Sequence, residues 1–202
     1  LPLLIYNEKV SLERILVHVC CAPDGAYVLQ LLRDNYDPTA FFYNPNIHPQ
    51  EEYVYRRQEM ERVAAWLKVP LIEEPPDFDR WFELTEAYKN EPEKGRRCDL
   101  CYAIRLEKTA ERAGQQKFPL FTTVMSLSPW KKSRVINALG EALGQKYGVN
   151  FLQADFKKKN GFLKSVALSR ELGLYRQDYC GCQYSLEARQ QRKAKQGEPE
   201  RK

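Results

Sequence analysis

The sequence has no apolar run that approaches the length of a membrane span, so an integral membrane protein is not expected. Its opening stretch, LPLLIYNEKV, lacks the basic segment and extended apolar core of a secretory signal. No low-complexity linker or internal repeat divides the chain, which argues against a tandem array. The first strand-like segment is not followed by a Gly-rich loop, so the usual cradle for a nucleotide's phosphates is missing. Nor does any cysteine stand alone. The six fall into three local groups: Cys20–Cys21, Cys98-x-x-Cys101 and Cys180-Gly-Cys182. A soluble, cytoplasmic protein is expected, and in that compartment thiols stay reduced, so a disulfide framework is not.

What is present fits one domain. The chain has 202 residues, 43% of them hydrophobic, enough for a core without covalent staples. A single α/β catalytic domain is expected over residues 1–186, followed by a basic tail over 187–202 that is mobile or helical. The net charge of +5 permits a nucleic-acid partner without demanding one. The stretch EARQQRKAKQGEPERK carries much of this charge and reads first as a solvated end.

Short apolar runs at 14–19, 39–44, 69–74, 118–125 and 149–155 read as strands, and segments of helical period separate them. Asp77 or Asp79 is a cap candidate for one helix and Gly114 a stop signal for the next. The alternation predicts an α/β fold: a mostly parallel, doubly wound, Rossmann-like sheet of about five strands. Ligands in such folds bind beyond the carboxyl ends of the strands. Four loops fall there: CCAPDG, NPNIHP, SLSPW and DFKKKNG.

The thiols carry the strongest signal. Cys98 and Cys101, three apart at a helix start, lie on one side of that helix. The helix amino end also favours thiolates. A thioredoxin-like dithiol is the rival reading, but its usual place after the first strand is taken by Cys20 and Cys21. Four sulfurs would satisfy a zinc site or an iron–sulfur cluster and leave two unexplained. A cluster with a second metal, or a cluster with a redox dithiol, uses all six. Asp24, three residues after Cys21, is either a helix cap or a ligand or proton carrier. His18, mid-strand, reads as a satisfied core histidine.

The loop FYNPNIHPQEEYVYR offers Asn44, Asn46 and His48, which can hydrogen-bond a base or sugar. The bland reading is that Asn-Pro marks a turn and that Glu52, Tyr53 and Arg56 of the following helix make surface pairs. Ser126, Ser128 and the paired Lys131 and Lys132 suit an anionic substrate. Lys157, Lys158 and Lys159 add charge to the expected rim. Basic and aromatic loops together make RNA a reasonable substrate.

With these residues assembled, the chain resembles the cobalamin-independent epoxyqueuosine reductase QueH family. The resemblance rests on LVHVCCAPDG, FYNPNIHPQEEYVYR, CDLCYAIRL, TTVMSLSPWKKSRVIN and the long closing motif ending in YCGCQYS, spanning roughly residues 14–186. It implies a fold like the adenine nucleotide alpha hydrolases, a [4Fe–4S] cluster with an additional mononuclear iron, and reduction of epoxyqueuosine at the tRNA wobble position. It further implies metal binding by Cys20, Cys21, Cys98, Cys101, Cys180 and Cys182. Many members carry another cysteine where this chain has Asp24, which makes Asp24 a candidate ligand. Removing an epoxide oxygen needs two electrons, hence a metal cofactor and an external low-potential electron donor. Asp24, Tyr179 and Tyr184, with Tyr102, are candidate proton donors. Arg176 and the lysines are expected to hold phosphates of the tRNA anticodon loop. Two rivals are an ATP-dependent tRNA thiolation enzyme of the same fold and a zinc-stabilised RNA-binding module.

Overall fold

A computed structural model describes residues 11–196. Its sheet is built on β1 (Glu13–His18), whose residues Ile15 to His18 are all buried, as a strand covered on both faces must be. Around β1 the chain lays α1 (Ala22–Leu32), β2 (Tyr36–Phe42), α2 (Gln50–Leu67), β3 (Leu71–Glu73), α3 (Phe78–Glu86) and α4 (Arg96–Gln115). It continues with β4 (Leu120–Thr123), α5 (Ser133–Tyr147), β5 (Asn150–Phe151), α6 (Gly161–Glu171) and α7 (Gln183–Gln196). Every strand pairing is parallel, in the order β3-β2-β1-β4-β5, with His18 opposite Phe41 on one side and Thr123 on the other. Helix α1 packs against α2 and α6, while α4 packs against α5, so helices cover the sheet as the alternation of segments predicts. Among the described residues no helix is long and apolar enough to cross a membrane.

The strand order reverses direction at β1. The chain winds outward through β2 and β3, then crosses back to place β4 on the other side of β1. The carboxyl ends of β1 and β4 therefore open a crevice at a topological switch point, the place such folds reserve for ligands. The Cys20–Cys21 pair leaves β1 there, and the segment Val124–Leu127, a 3-10 turn, leaves β4.

Several expected boundaries shift for local reasons. β2 begins three residues early and includes Pro38, which is tolerated because β3 joins β2 only from Ala40 onward. β4 stops at Thr123, whose hydroxyl accepts from the Met125 amide at 3.1 Å and turns the chain into the 3-10 segment. α3 is capped by Asp77, which accepts from the Arg80 amide at 3.0 Å. Gly114 does not stop α4; the helix runs to Gln115, and the left-handed residue that follows is Lys117. The boundary expected at residue 186 falls inside α7, which carries the basic stretch in helical form to Gln196. Residues 197–202 lie outside the described range.

The start of α6 is the tightest backbone approach. A Cβ on Gly161 would lie 1.8 Å from the Phe156 carbonyl oxygen, which a side chain cannot occupy without moving backbone. Gly161→Ala is expected to cost about 1–3 kcal/mol, read as a lowered urea midpoint with unchanged m-value. An unchanged midpoint would mean the loop before α6 yields freely.

Candidate metal and RNA site

The three cysteine groups converge on the switch-point crevice. α1 begins directly after Cys21, which occupies its cap position without a side-chain capping bond. Asp24 is therefore not the cap but lies within the first helical turn, and it is 7% exposed. One ligand atom from each of Cys20, Cys21 and Asp24 can be chosen so that all lie within 4.8 Å of one another. Cys98 and Cys101 stand in the first turns of α4, after Gly95, and the Lys94 amide donates to Cys98 Sγ at 3.3 Å. Cys101 and Cys182 share a small buried cluster with Trp81, flanked by Phe82, Ile104 and Tyr184. All six cysteines are free thiols, and only Cys98 and Cys180 are partly exposed.

The CxC segment is held from α2. Gly181 has φ +116°, a left-handed conformation that glycine tolerates, and its carbonyl accepts from the His48 amide at 2.8 Å. Arg56, 1% exposed, donates to the carbonyls of Cys180 at 3.2 Å and Tyr179 at 3.4 Å. Its Nε donates to Glu52 at 2.7 Å, and Glu52 in turn accepts from the Tyr175 hydroxyl at 3.0 Å.

The charge around the sulfurs is one-sided. Arg105, 1% exposed on α4, donates from Nε to the Cys101 carbonyl at 3.2 Å, and among the described residues its Nη2 has no partner. Burial alone would lower its pKa, but the sulfurs of Cys101, Cys20 and Cys180 outweigh burial and raise it. Lys131 behaves likewise: burial opposes its charge, and Cys180 and Cys20 hold it on. In the opposite sense, burial pushes the Cys98 thiol up to about 11 and Cys182 up to about 12. Burial first, then the Cys20 sulfur, lifts Asp24 to about 6. Thiols raised in this way ionise when a metal supplies positive charge. The buried guanidinium of Arg105 requires an anionic partner, and among the described residues no carboxylate pairs with it. Six sulfurs beside the buried Arg105 guanidinium and the half-buried Lys131 thus fit an anionic, thiolate-bound metal group.

A cavity of about 470 Å³ opens in front of these groups. Of the residues expected at the site, Cys20, Asp24, Cys98, Ser128, Lys131, Arg176, Tyr179 and Cys180 line it. Cys21, Cys101 and Cys182 are buried and are not among its lining residues. The β2 loop takes a different part. Asn44 is fully buried and donates to the Val19 carbonyl at 2.9 Å, so it ties the β2 loop to β1. Asn46 is 1% exposed, and His48 packs against Phe78, Trp81 and Phe82. Neither lines the cavity, nor does the buried Ser126. Tyr184 packs at a tilt against Trp81 under Arg97 and also stays outside the cavity lining. Tyr179 does line the cavity, but its hydroxyl donates to the His48 carbonyl at 2.5 Å. His18 is a satisfied core histidine between Thr123 Oγ1 at 2.9 Å and the Tyr43 carbonyl at 3.2 Å. Burial, helped by Arg105, lowers it to about 3, so it is neutral.

Several lining residues were not expected at the site from sequence. Arg189, Arg192 and Lys193 of α7 and Ser185 at its start bring the basic stretch to the cavity wall. Its helical spacing, with Arg189 followed by Arg192 and Lys193 on one face, was the available signal. Arg105 also had a signal: it stands four residues after Cys101 and beside Tyr102, Leu106 and Ala110 on the buried face of α4.

The epoxyqueuosine reductase QueH family matches residues 15–188. Epoxyqueuosine reductase QueH of Thermotoga maritima is 38% identical over 183 residues, covering 89% of this chain and 94% of the relative. The Haemophilus influenzae protein of the same name is 37% identical over 186 residues, covering 89% of this chain and 76% of the relative. Among solved structures, a predicted subunit of a tRNA methyltransferase from Methanocaldococcus jannaschii superposes with a TM-score of 0.54 at 14% identity, covering 91% of this chain and 89% of that one. The U34-tRNA thiolase NcsA from Methanococcus maripaludis, solved with its [4Fe-4S] cluster, gives a TM-score of 0.54 at 13% identity, covering 87% of this chain and 62% of that one. These two share the fold, whereas sequence likeness over nearly the whole length decides kinship: the chain belongs to the epoxyqueuosine reductase QueH family.

Proposed function

We propose that this protein reduces the epoxide of epoxyqueuosine in tRNA to the alkene of queuosine, at the cysteine-walled end of the 470 Å³ cavity. The observation that carries the reading is the convergence of six free thiols, the buried Arg105 and the half-buried Lys131 on one crevice, in a chain of this family. Overall, two C–O bonds of the epoxide break, two electrons and two protons enter, and the oxygen leaves as water. An external low-potential donor provides the electrons.

We read Cys98, Cys101, Cys180 and Cys182 as the residues that would hold a [4Fe–4S] cluster. Cys20, Cys21 and Asp24, within 4.8 Å of one another, would hold an additional mononuclear iron. When bound, these groups supply single-electron transfer and a Lewis acid for the epoxide oxygen. The chain's own residues do the rest. Arg105 and Lys131 neutralise the thiolates. Tyr102, 3% exposed and lining the cavity, holds a proton at its hydroxyl, because burial raises its pKa. Arg176, steadied by its bond to Ser169 Oγ at 3.0 Å, contacts the anionic substrate backbone at the cavity wall. Anticodon bases are unpaired, so one can enter the cavity without the opening of a helix.

Anaerobically reconstituted protein should bind about five irons per chain and convert epoxyqueuosine-containing tRNA when given a low-potential reductant. Cys20→Ser should lose about one iron and keep cluster absorption, whereas Cys98→Ser should lose the cluster. Asp24→Asn separates that residue's two possible roles: a lost iron marks a ligand, and full iron with lost turnover marks a proton carrier. Protein that binds one zinc, no iron, and converts nothing would refute the proposal.

A further inference from the structure

Trp130 is a large aromatic with 64% of its surface exposed, yet it stands on the cavity rim rather than on an outer helix face. Two hydrogen bonds fix the turn that carries it. Pro129 sets the turn, the Lys131 amide donates to the Ser128 carbonyl at 3.2 Å, and the Trp130 amide donates to Ser128 Oγ at 3.3 Å. Lys94 Nζ lies 5.0 Å from the ring centroid and covers one face. An exposed indole held on a fixed turn loses little entropy when something flat lies against its free face. The flat group must also be compatible with positive charge. Of the cations on the cavity wall, Arg189 and Lys193 are already paired with Asp178, at 2.7 and 3.4 Å. Arg192 lines the same cavity with no carboxylate partner among the described residues.

We propose that Trp130 is a stacking platform for an unpaired RNA base adjoining the one that reacts, with Arg192 on α7 as a phosphate contact of the same strand. The site rests on the reading of the cavity as a tRNA-reducing centre. An aromatic face beside an unpaired cation matches the two chemistries of single-stranded nucleic acid, a π-face and a charged backbone. The comparison within the molecule is Trp66 on α2. It is 46% exposed, but it lines no part of the cavity. Because the stacked base does not react, its contact acts on substrate binding: loss of the ring raises KM and leaves kcat.

The test uses iron-reconstituted full chain and a fluorescein-labelled anticodon stem-loop RNA, read by anisotropy. Trp130→Ala should weaken binding roughly 5- to 150-fold, the range set by losing one base–aromatic stack. Trp130→Phe should recover most of that affinity, and Trp66→Ala should leave it unchanged. Arg192→Ala should lower the slope of log affinity against log salt by about one. If wild type binds and reduces tRNA while Trp130→Ala binds equally well, or Trp66→Ala loses as much, this site is overturned and the reductase reading stands. Wild type that neither binds the stem-loop nor reduces tRNA overturns both.

Discussion

Cys180→Ser and Cys182→Ser are each expected to lose the cluster and to abolish reduction, while the fold survives. The substitution is nearly isosteric, so packing changes little. Cys182 is 7% exposed beside Trp81 and Cys101, and a serine hydroxyl fits the same space. What changes is the donor. A hydroxyl does not ionise near neutrality and is a poor ligand for iron where a thiolate is a good one. The Arg56 clamp and the Gly181 turn would still present the segment in the same shape, since both act through backbone carbonyls and φ. Iron per chain, cluster absorption and turnover should therefore fall together, with the far-ultraviolet circular dichroism unchanged. A single serine variant that keeps full iron and full activity removes the CxC pair from the ligand set. A variant that unfolds would show the pair to be structural instead.

The parts of this site that could be read from sequence are those set by chain-local rules. A vicinal pair directly after a buried strand must lie at a sheet's carboxyl edge, and a CxxC opening a helix must face one way. The positions of Cys20, Cys21 and Cys98 followed from that, as did those of Ser128 and Lys131 after β4. The parts that could not be read depend on packing between distant segments. Asn44 and His48 are polar residues in a loop at the right edge, but long-range contacts turn Asn44 to the Val19 carbonyl and His48 to the α3 aromatics. The chain end read as a solvated basic tail, because charge alone does not say which face of a helix meets the protein. The bonds from Arg189 and Lys193 to Asp178 place it against the cavity. Arg56 likewise reads as a surface partner of Glu52 at i, i+4, and only its contacts more than 120 residues away reveal a clamp.

Arg56→Ala is the second substitution with a large expected effect, and it tests whether the CxC loop is shaped from outside itself. The guanidinium satisfies three acceptors at once: Glu52 and the carbonyls of Cys180 and Tyr179. Burial would lower its pKa, but Glu52 and the Cys21 sulfur raise it, so it stays charged. Removing it leaves Glu52, whose side chain is 12% exposed, with only the Tyr175 hydroxyl, and leaves two loop carbonyls unpaired. Breaking a buried, hydrogen-bonded charge pair costs about 3–5 kcal/mol, so the melting temperature should drop markedly. Arg56→Lys separates charge from shape: a lysine keeps the cation near Glu52 but lacks the planar fork that reaches both carbonyls. The lysine variant should regain most of the stability and little of the iron content. Gly181→Ala attacks the same contact from the other side. At φ +116° an alanine is strained, and its Cβ would lie 2.9 Å from Arg56 Nη1. It should lower cluster occupancy while keeping both charges of the Glu52–Arg56 pair. If Arg56→Lys and Gly181→Ala both load iron like the wild type, the loop holds its shape unaided and Arg56 serves stability alone.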